Sequence, residues 1–484
     1  MNSEDVFILV RELAKSPIET SWIEFKKNKD DPNMIGEDIS ALANAAVLEE
    51  RDCAYMIWGV DDKTHEIEGT VVNLNTQKKG NEELENWLRH QLSKNVDFEI
   101  FNAEENGIRL VVLRVCASCQ YPVSFENVPF IRIGSYTKKL HDYPEVQLRL
   151  WDRLRNSNFE KQASMINLDM TSAVQMLDAS LFFSETKTPE PTTIEGYAKL
   201  FCDENIMRKQ DDGRYSITNL GATLFAKNIS AFPRVSRKAI RVIQYRGSNR
   251  TEMIREIDGK KGYAAGFDNL IQFIMALTPA EEPIVGGFRR PLSAYPEIAI
   301  RELVANALIH QDMTLTGTGP IIEIFSDRIE INNPGKCLVS IDRIVDCPPK
   351  SRNEDMAALM RRMHICEEAG GGWDKAVLGC EEKHIPAPQI TLYDESMRVV
   401  LSLKSDFTKM TEAEKLWTCY LHACILYLED RYLTNASLRE RFGLGDESAA
   451  SISRLIKEAV RVQKIKPFDP NTAKRYMKYV PIWA

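Results

Sequence analysis

Between Arg301 and Asp312 the sequence reads Arg-Glu-Leu-Val-Ala-Asn-Ala-Leu-Ile-His-Gln-Asp, so Glu302, Asn306 and His310 recur every four residues. At about 3.6 residues per turn that interval stacks all three on one slowly drifting helix face. Leu303, Ala307 and Leu308 cover another side. The polar groups are then buried or half-buried and need partners, either an internal hydrogen-bond network or a ligand. Two later segments favour the ligand: Asn332-Asn333-Pro334-Gly335, and the run Gly370-Gly371-Gly372. A polar helix, a hairpin ending in Asn-Pro-Gly and glycines that let backbone amides approach a phosphate together make a coherent nucleotide site.

The elements that must position these groups are legible around them. Residues 239–244 and 320–325 read as strands, Asp327-Arg328 as a turn, and 329–331 as an antiparallel return. A long helix is expected over 262–277, with Phe267, Leu270, Ile271, Ile274 and Met275 inward, and a shorter one over 356–363. Upstream, 5–16 is helical and ended by Pro17. Residues 19–26 form a short strand-like run with Trp22, Glu24 and Lys26 on one face. Helix 34–46 leads to Asn44, and 54–60 is a buried strand closed by Asp61-Asp62. Residues 159–170 read as a polar link. Helices 172–183 and 194–202 flank a Pro-rich loop, followed by a hairpin over 206–217 and a helix over 218–226, a small winged-helix-like module. In the tail, helices over 415–428, 434–442 and 447–462 precede a short wing through Pro467 and Tyr476, a winged helix-turn-helix pattern. Its third helix would read a major groove through Ser451, Ser453, Arg454 and Lys457, while Arg461, Lys464, Lys466, Lys474 and Arg475 would grip phosphates.

The totals bound the class. A chain of 484 residues is too long for one core, and 44% hydrophobic with 27% charged residues describes a globular protein of two to four domains. No apolar run approaches the roughly 20 residues of a membrane span, and the start Met-Asn-Ser-Glu-Asp lacks a signal-peptide pattern, so a cytoplasmic location is expected. Ten scattered cysteines argue for reduced thiols; Cys116 and Cys119 form the only Cys-x-x-Cys. The net charge of −8 argues against a protein coated in nucleic acid. Charge is segregated, however: from residue 431 onward eleven Lys and Arg stand against five Asp and Glu, a balance of +6.

The first 155 residues resemble the Schlafen AlbA-type domain. The residues that carry the resemblance are Glu19, Glu24-Phe25-Lys26, Ala41-Leu42-Ala43-Asn44, Gly59-Val60-Asp61-Asp62 and Arg132-Ile133-Gly134-Ser135. Many members have a Gly-Gly pair after the Asn, where this chain has Ala45, Ala46 and a longer connection. The resemblance implies nucleic-acid binding, with Arg132, Tyr136, Lys138 and Lys139 placed for phosphate contact and Tyr136 for stacking. In the ribonuclease branch of that family three carboxylates hold a divalent metal. They map to Glu19, Glu24 and Asp61 or Asp62, with Mg²⁺ or Mn²⁺ as the suited ion and Lys26 to neutralise phosphate.

Residues 290–405 resemble the ATP-binding domain of the GHKL superfamily, in the variant found beside Schlafen AlbA domains in bacterial transcriptional regulators. The resemblance implies that Glu302 positions water and Asn306 binds Mg²⁺. It places Asn333 and Gly335 at the adenine and Gly370, Gly371 and Gly372 near the phosphates, with Lys350 and Arg352 as further phosphate candidates. His310 has no counterpart in that motif and returns to a structural reading. The superfamily's Asp-x-Gly-x-Gly is replaced here by Asn332-Asn333-Pro334-Gly335, so ATP binding with Mg²⁺ is expected and hydrolysis is not implied. No Gly-x-x-x-x-Gly-Lys-Ser/Thr loop occurs, which excludes a conventional P-loop motor.

The expectation is therefore a multidomain α+β protein. It comprises a Schlafen AlbA-type α/β domain (1–155), a linker and helical middle module (156–289), a GHKL-like (Bergerat) α/β sandwich (290–405) and a C-terminal winged helix (406–484). Its expected function is nucleotide-responsive binding of DNA or RNA, as a homodimer or larger assembly, with no membrane partner. The alternative is a metal-dependent RNA endonuclease acting in phage defence.

Overall fold

The computed structural model describes residues 3–15, 20–94, 96–118, 121–155, 159–210, 213–281, 284–285, 288–289, 292–348, 350–366 and 371–484. The chain forms two compact units, Met1–Val174 with Thr193–Asn219, and Gln175–Thr192 with Leu220–Ala484. The segment 156–289, expected as one module, is thus shared between them.

In the first unit a four-stranded sheet has the spatial order Ile23–Lys26, Cys53–Trp58, Ile108–Cys116, Phe98–Glu105. The first pair is parallel and the others antiparallel. A parallel pair needs a crossover, and the helix Pro32–Leu48 supplies it. Asp31 caps that helix by accepting from Met34 N at 2.9 Å, and Pro32 occupies its first turn, where no partner for its nitrogen is required. Beyond the helix Glu50 adopts φ +54°, the left-handed conformation glycine would take more easily. Asn44 is fully buried and ties the helix to a neighbouring hairpin: its Nδ2 donates to Val123 O and Phe130 O, and its Oδ1 accepts from Val123 N. Both faces of Ile23–Lys26 are covered, so Trp22, Ile23, Glu24 and Phe25 are all buried, where alternation predicted one polar face. Residues 163–168, expected as linker, form a strand that pairs with Tyr215–Thr218, which in turn pairs with Met207–Lys209.

The second unit is built on a six-stranded sheet in the order Met253–Asp258, Arg241–Tyr245, Ile321–Ile324, Arg328–Pro334, Ser396–Ser402, Gln389–Leu392. All pairs are antiparallel except Arg241–Tyr245 with Ile321–Ile324. Period-two alternation puts Ile329, Ile331 and Asn333 on one face and Arg328, Glu330 and Asn332 on the other. The second face carries a charge network: Arg250 holds Glu323 at 2.7 Å and Glu330 at 2.9 Å, and Arg328 and Arg398 also reach Glu330. The helix Glu297–His310 packs on Arg328–Pro334, on the helix Gly372–Glu382 and on the helix Tyr263–Leu277. Nine of its fourteen residues are buried.

The C-terminal helices Glu412–Leu428, Asn435–Arg441 and Ala449–Arg461 and a two-stranded sheet, Ile465–Pro467 with Tyr479–Pro481, belong to the same unit. Capping boxes at Thr411/Glu414 and Thr434/Ser437 open the first two helices. Glu381, at the end of Gly372–Glu382, accepts from buried His422 at 2.9 Å and pairs with buried Arg441 at 3.3 Å. Asp342 accepts Tyr420 Oη at its backbone carbonyl and pairs through its carboxylate with Lys464 at 2.5 Å. Among the described residues no helix is long and apolar enough to cross a membrane, and the nine described cysteines are free.

Candidate functional site

The Asn-Pro-Gly hairpin end, the polar helix and the glycine helix converge on one cavity of about 460 Å³ in the second unit. Glu302, Asn306, Asn333, Gly335, Lys350 and Gly372 all line it. Asn333 is 2% exposed, and its Oδ1 has no hydrogen-bond partner. The strand presents it on the same face as Ile329 and Ile331, so an acceptor stands at the end of an apolar run. A buried acceptor without a donor costs about 1–3 kcal/mol, which a ligand's N–H would recover. Asn306 lines the same cavity with its buried Nδ2 likewise unpartnered. Leu338, Val339, Ile344, Ala357 and Met397 supply apolar wall, and Lys336, Lys350 and Arg361 supply positive charge.

Local geometry explains why these residue types are needed. Gly335 has φ +112°, and a Cβ there would lie 2.9 Å from Asp312 N, so only glycine passes beneath the end of the polar helix. Gly371 is the N-cap of Gly372–Glu382. Gly372 follows, and a Cβ on it would lie 2.6 Å from Glu302 Oε2. The start of that helix therefore abuts Glu302 and Asn306, and a helix start is where an anion is favoured. Gly370 lies outside the described residues.

Arg352 and His310 depart from expectation. The Arg352 guanidinium donates to His310 O at 3.1 Å and Lys336 O at 2.7 Å, bracing two backbone segments rather than facing the cavity. Its neighbour Asn353 caps the polar helix by donating to Ile309 O and Gln311 O. These two residues satisfy carbonyls that every helix end leaves orphaned. His310 lines the cavity. Burial, with Arg352 beside it, pushes its pKa down to about 4, so it is a neutral wall at physiological pH. Burial also pushes Asp374, near the start of Gly372–Glu382, up to about 6, with Asp346 adding to the shift. Cys337, Cys347, Cys366, Trp373 and the carboxylate-bearing Glu354 also line it; no motif or spacing marks them in the sequence.

Of the carboxylates proposed to hold metal in the first unit, the described ones have other partners or stand exposed. Glu24 is 5% exposed and pairs through Oε1 with Lys26 and through Oε2 with Arg132. Asp38, unmarked by the sequence reading, lies 3.6 Å from Lys26 and accepts from Thr137. Burial raises the Asp38 pKa, with Lys26 opposing it. Two carboxylates and two cations thus close a buried cluster. Arg132 belongs to it with 1% of its side chain exposed, which removes it from the expected phosphate contacts. Asp61 instead closes a turn, accepting from Lys63 N and Thr64 N, and these bonds lower its pKa. Asp62 is exposed, and Glu19 lies outside the described residues. Among the described residues no three His, Cys, Asp or Glu side chains form a metal-binding group. A metal at Glu24 would have to displace Lys26 and Arg132 from a carboxylate already neutralised.

Exposed nucleic-acid candidates remain. Tyr136 is 69% exposed at the start of Tyr136–Lys139, with Lys138 over its ring and Lys139 exposed beside it. Arg454 and Lys457 are exposed on Ala449–Arg461.

The second unit thus holds an α/β sandwich with a nucleotide-sized cavity between a polar helix, the end of a central strand and a glycine-opened helix. Comparison with known families agrees. Residues 19–141 match the model described as "Schlafen, AlbA_2", and residues 317–401 match the one described as "Putative ATP-dependent DNA helicase recG C-terminal". The chain therefore joins a Schlafen AlbA_2 domain to a GHKL-like ATPase domain. The second match begins after the helix that carries Glu302 and Asn306. A similar solved structure is that of the DIP2311 protein from Corynebacterium diphtheriae, 15% identical, covering 99% of this chain and 96% of that one with a TM-score of 0.40. No curated protein matches the chain.

Proposed function

We propose that the cavity binds ATP with Mg²⁺ and that the protein is a nucleotide-responsive nucleic-acid-binding protein, of the kind a transcriptional regulator or a defence-associated switch requires. The observation that carries the nucleotide reading is the buried, unpartnered Asn333 Oδ1 at the end of an apolar strand face. An exocyclic amino group of adenine supplies the missing donor, and apolar walls suit its ring. The start of Gly372–Glu382, Asn306, Lys336 and Lys350 suit a polyphosphate. Asn306 and Glu302 are the residues beside which Mg²⁺ would sit. The ion when bound neutralises phosphate charge.

Response to the nucleotide is supported by what the cavity walls are bonded to. The helix that opens at Gly372 carries in its last turn Glu381, which holds His422 and Arg441 of the C-terminal helices. The wall segment carrying Cys337, Ile344 and Cys347 includes Asp342, which holds Tyr420 and Lys464. A ligand that favours one arrangement of either wall therefore biases the C-terminal helices, to the extent of its differential affinity. Nucleic acid would be held by Tyr136, Lys138 and Lys139 in the first unit and by Arg454 and Lys457 in the second.

Calorimetric titration of Mg²⁺-ATP into wild type, Asn306→Ala and Asn333→Ala tests the site. Each variant is expected to bind at least tenfold more weakly. Equal affinity in all three, or no binding to wild type, removes the proposed site.

A further inference from the structure

The C-terminal sequence suggested a row of phosphate grips, and several of them already have partners. Arg461 is paired with Glu458 at 2.8 Å, Lys464 with Asp342 at 2.5 Å, and Lys466 donates to the backbone carbonyl of Ala484. What the hairpin offers solvent instead is rings. Phe468 is 55% exposed and Tyr476 67% exposed, the two lying just beyond and just before the paired strands. Phe468 N donates to Lys478 O at 2.9 Å, which places Phe468 beside Lys478 at the strand ends. The Tyr432 ring lies 4.5 Å from Phe468 at 48°, with Lys478 Nζ 4.8 Å above it, and the Arg475 guanidinium stands 5.8 Å from the Tyr476 ring. Between residues 462 and 484 the single carboxylate is Asp469, and it is turned to Asn471 N and Thr472 Oγ1.

Exposed rings interleaved with cations are the surface that unpaired bases need, because every base has a face to stack while duplex bases hide theirs. We infer that the hairpin tip, through Phe468 and Tyr476 with Arg475 and Lys478, is a stacking platform for an unpaired polynucleotide segment. The inference rests on the nucleic-acid reading above and sharpens it: the C-terminal region selects unpaired strands over duplex. Arg454, Lys457, Arg475 and Lys478 contribute roughly −3 to the log–log slope on a single strand.

Fluorescence anisotropy of the full chain with labelled dT20, rU20 and a 20-base-pair duplex tests this. Wild type is expected to bind a single strand at least tenfold more tightly than duplex. The Phe468→Ala/Tyr476→Ala variant loses about tenfold per ring on the single strand and little on duplex. Phe468→Trp keeps the affinity, and its added emission is quenched by the strand, a signal that a merely structural role would not produce. The rU20 arm decides whether the strand is DNA or RNA, and binding of either supports the inference. Equal binding of duplex overturns it, as does an alanine pair that binds dT20 like wild type. If only Tyr136→Ala weakens dT20, the hairpin platform is wrong and the wider nucleic-acid reading stands. If no polynucleotide binds, both fall.

Discussion

A Cβ at position 372 would lie 2.6 Å from Glu302 Oε2 and 3.4 Å from Asn306 Nδ2. The obstructing atoms are side-chain ends, so Gly372→Ala displaces the Glu302 carboxylate rather than the backbone. Folding is expected to change by under about 1 kcal/mol, since alanine's helix propensity offsets the crowding. ATP affinity falls at least tenfold. Calorimetry and urea titration on the same sample separate the two effects. His310 sets a pH dependence. Its pKa is near 4 in the fold and near 6.5 when unfolded, so it is neutral in both states above pH 6.5 and its contribution is complete there. As pH falls from 6.5 to 4 the unfolded chain binds a proton that the native helix refuses, and roughly 3 kcal/mol of stability is lost. Asp374 acts in the opposite sense. Its pKa is raised from 3.8 to about 6, so its contribution is complete below 3.8 and is lost as pH rises to 6. In His310→Asn the loss of stability from pH 6 to 4 should therefore shrink or reverse, as read by hydrogen exchange over 297–310. An unchanged profile would assign the dependence elsewhere.

At the scale of elements, the helix Gly372–Glu382 spans from the cavity to the C-terminal helices, and its far end rests on Arg441. That guanidinium is buried and also donates to Ile385 O at 2.8 Å. Arg441→Met leaves the largely buried Glu381 without its guanidinium, a change that typically costs about 3–5 kcal/mol. Residues 412–461 should then lose hydrogen-exchange protection first, and ATP should no longer alter their protection. Retention of both would separate the cavity from the C-terminal helices. Elements with a marked apolar or polar periodicity were legible in the sequence: Arg328–Pro334 and the helices Tyr263–Leu277 and Glu297–His310 lie within a few residues of their predicted spans. The strand Met253–Asp258 was not, because all six of its residues are exposed and only its ladder to Arg241–Tyr245 makes it a strand. Residues 163–168 escaped for a related reason: they have no alternation of their own and are ordered by pairing with Tyr215–Thr218.

At the scale of the molecule, the site lies wholly within one of two compact units, so ligand linkage should act on that unit. With ATP at a hundredfold excess over its dissociation constant, residues 220–484 should gain about 2.7 kcal/mol against unfolding. Hydrogen exchange resolved by peptide measures this, and a gain located in residues 20–155 instead would place the nucleotide in the first unit. The sequence by itself determined the two domain types, the helix bearing Glu302 and Asn306, and the order of the Asn-Pro-Gly and glycine segments after it. It could do so because local periodicity and glycine's backbone freedom are properties of neighbouring residues. Which charges remain available was decided only by the tertiary structure. Glu24 and Arg132, Arg352 and the carbonyls of His310 and Lys336, and Lys464 and Asp342 are brought together from distant parts of the chain. Burial makes a charge seek whichever partner the fold places beside it, and no spacing in the sequence records that choice.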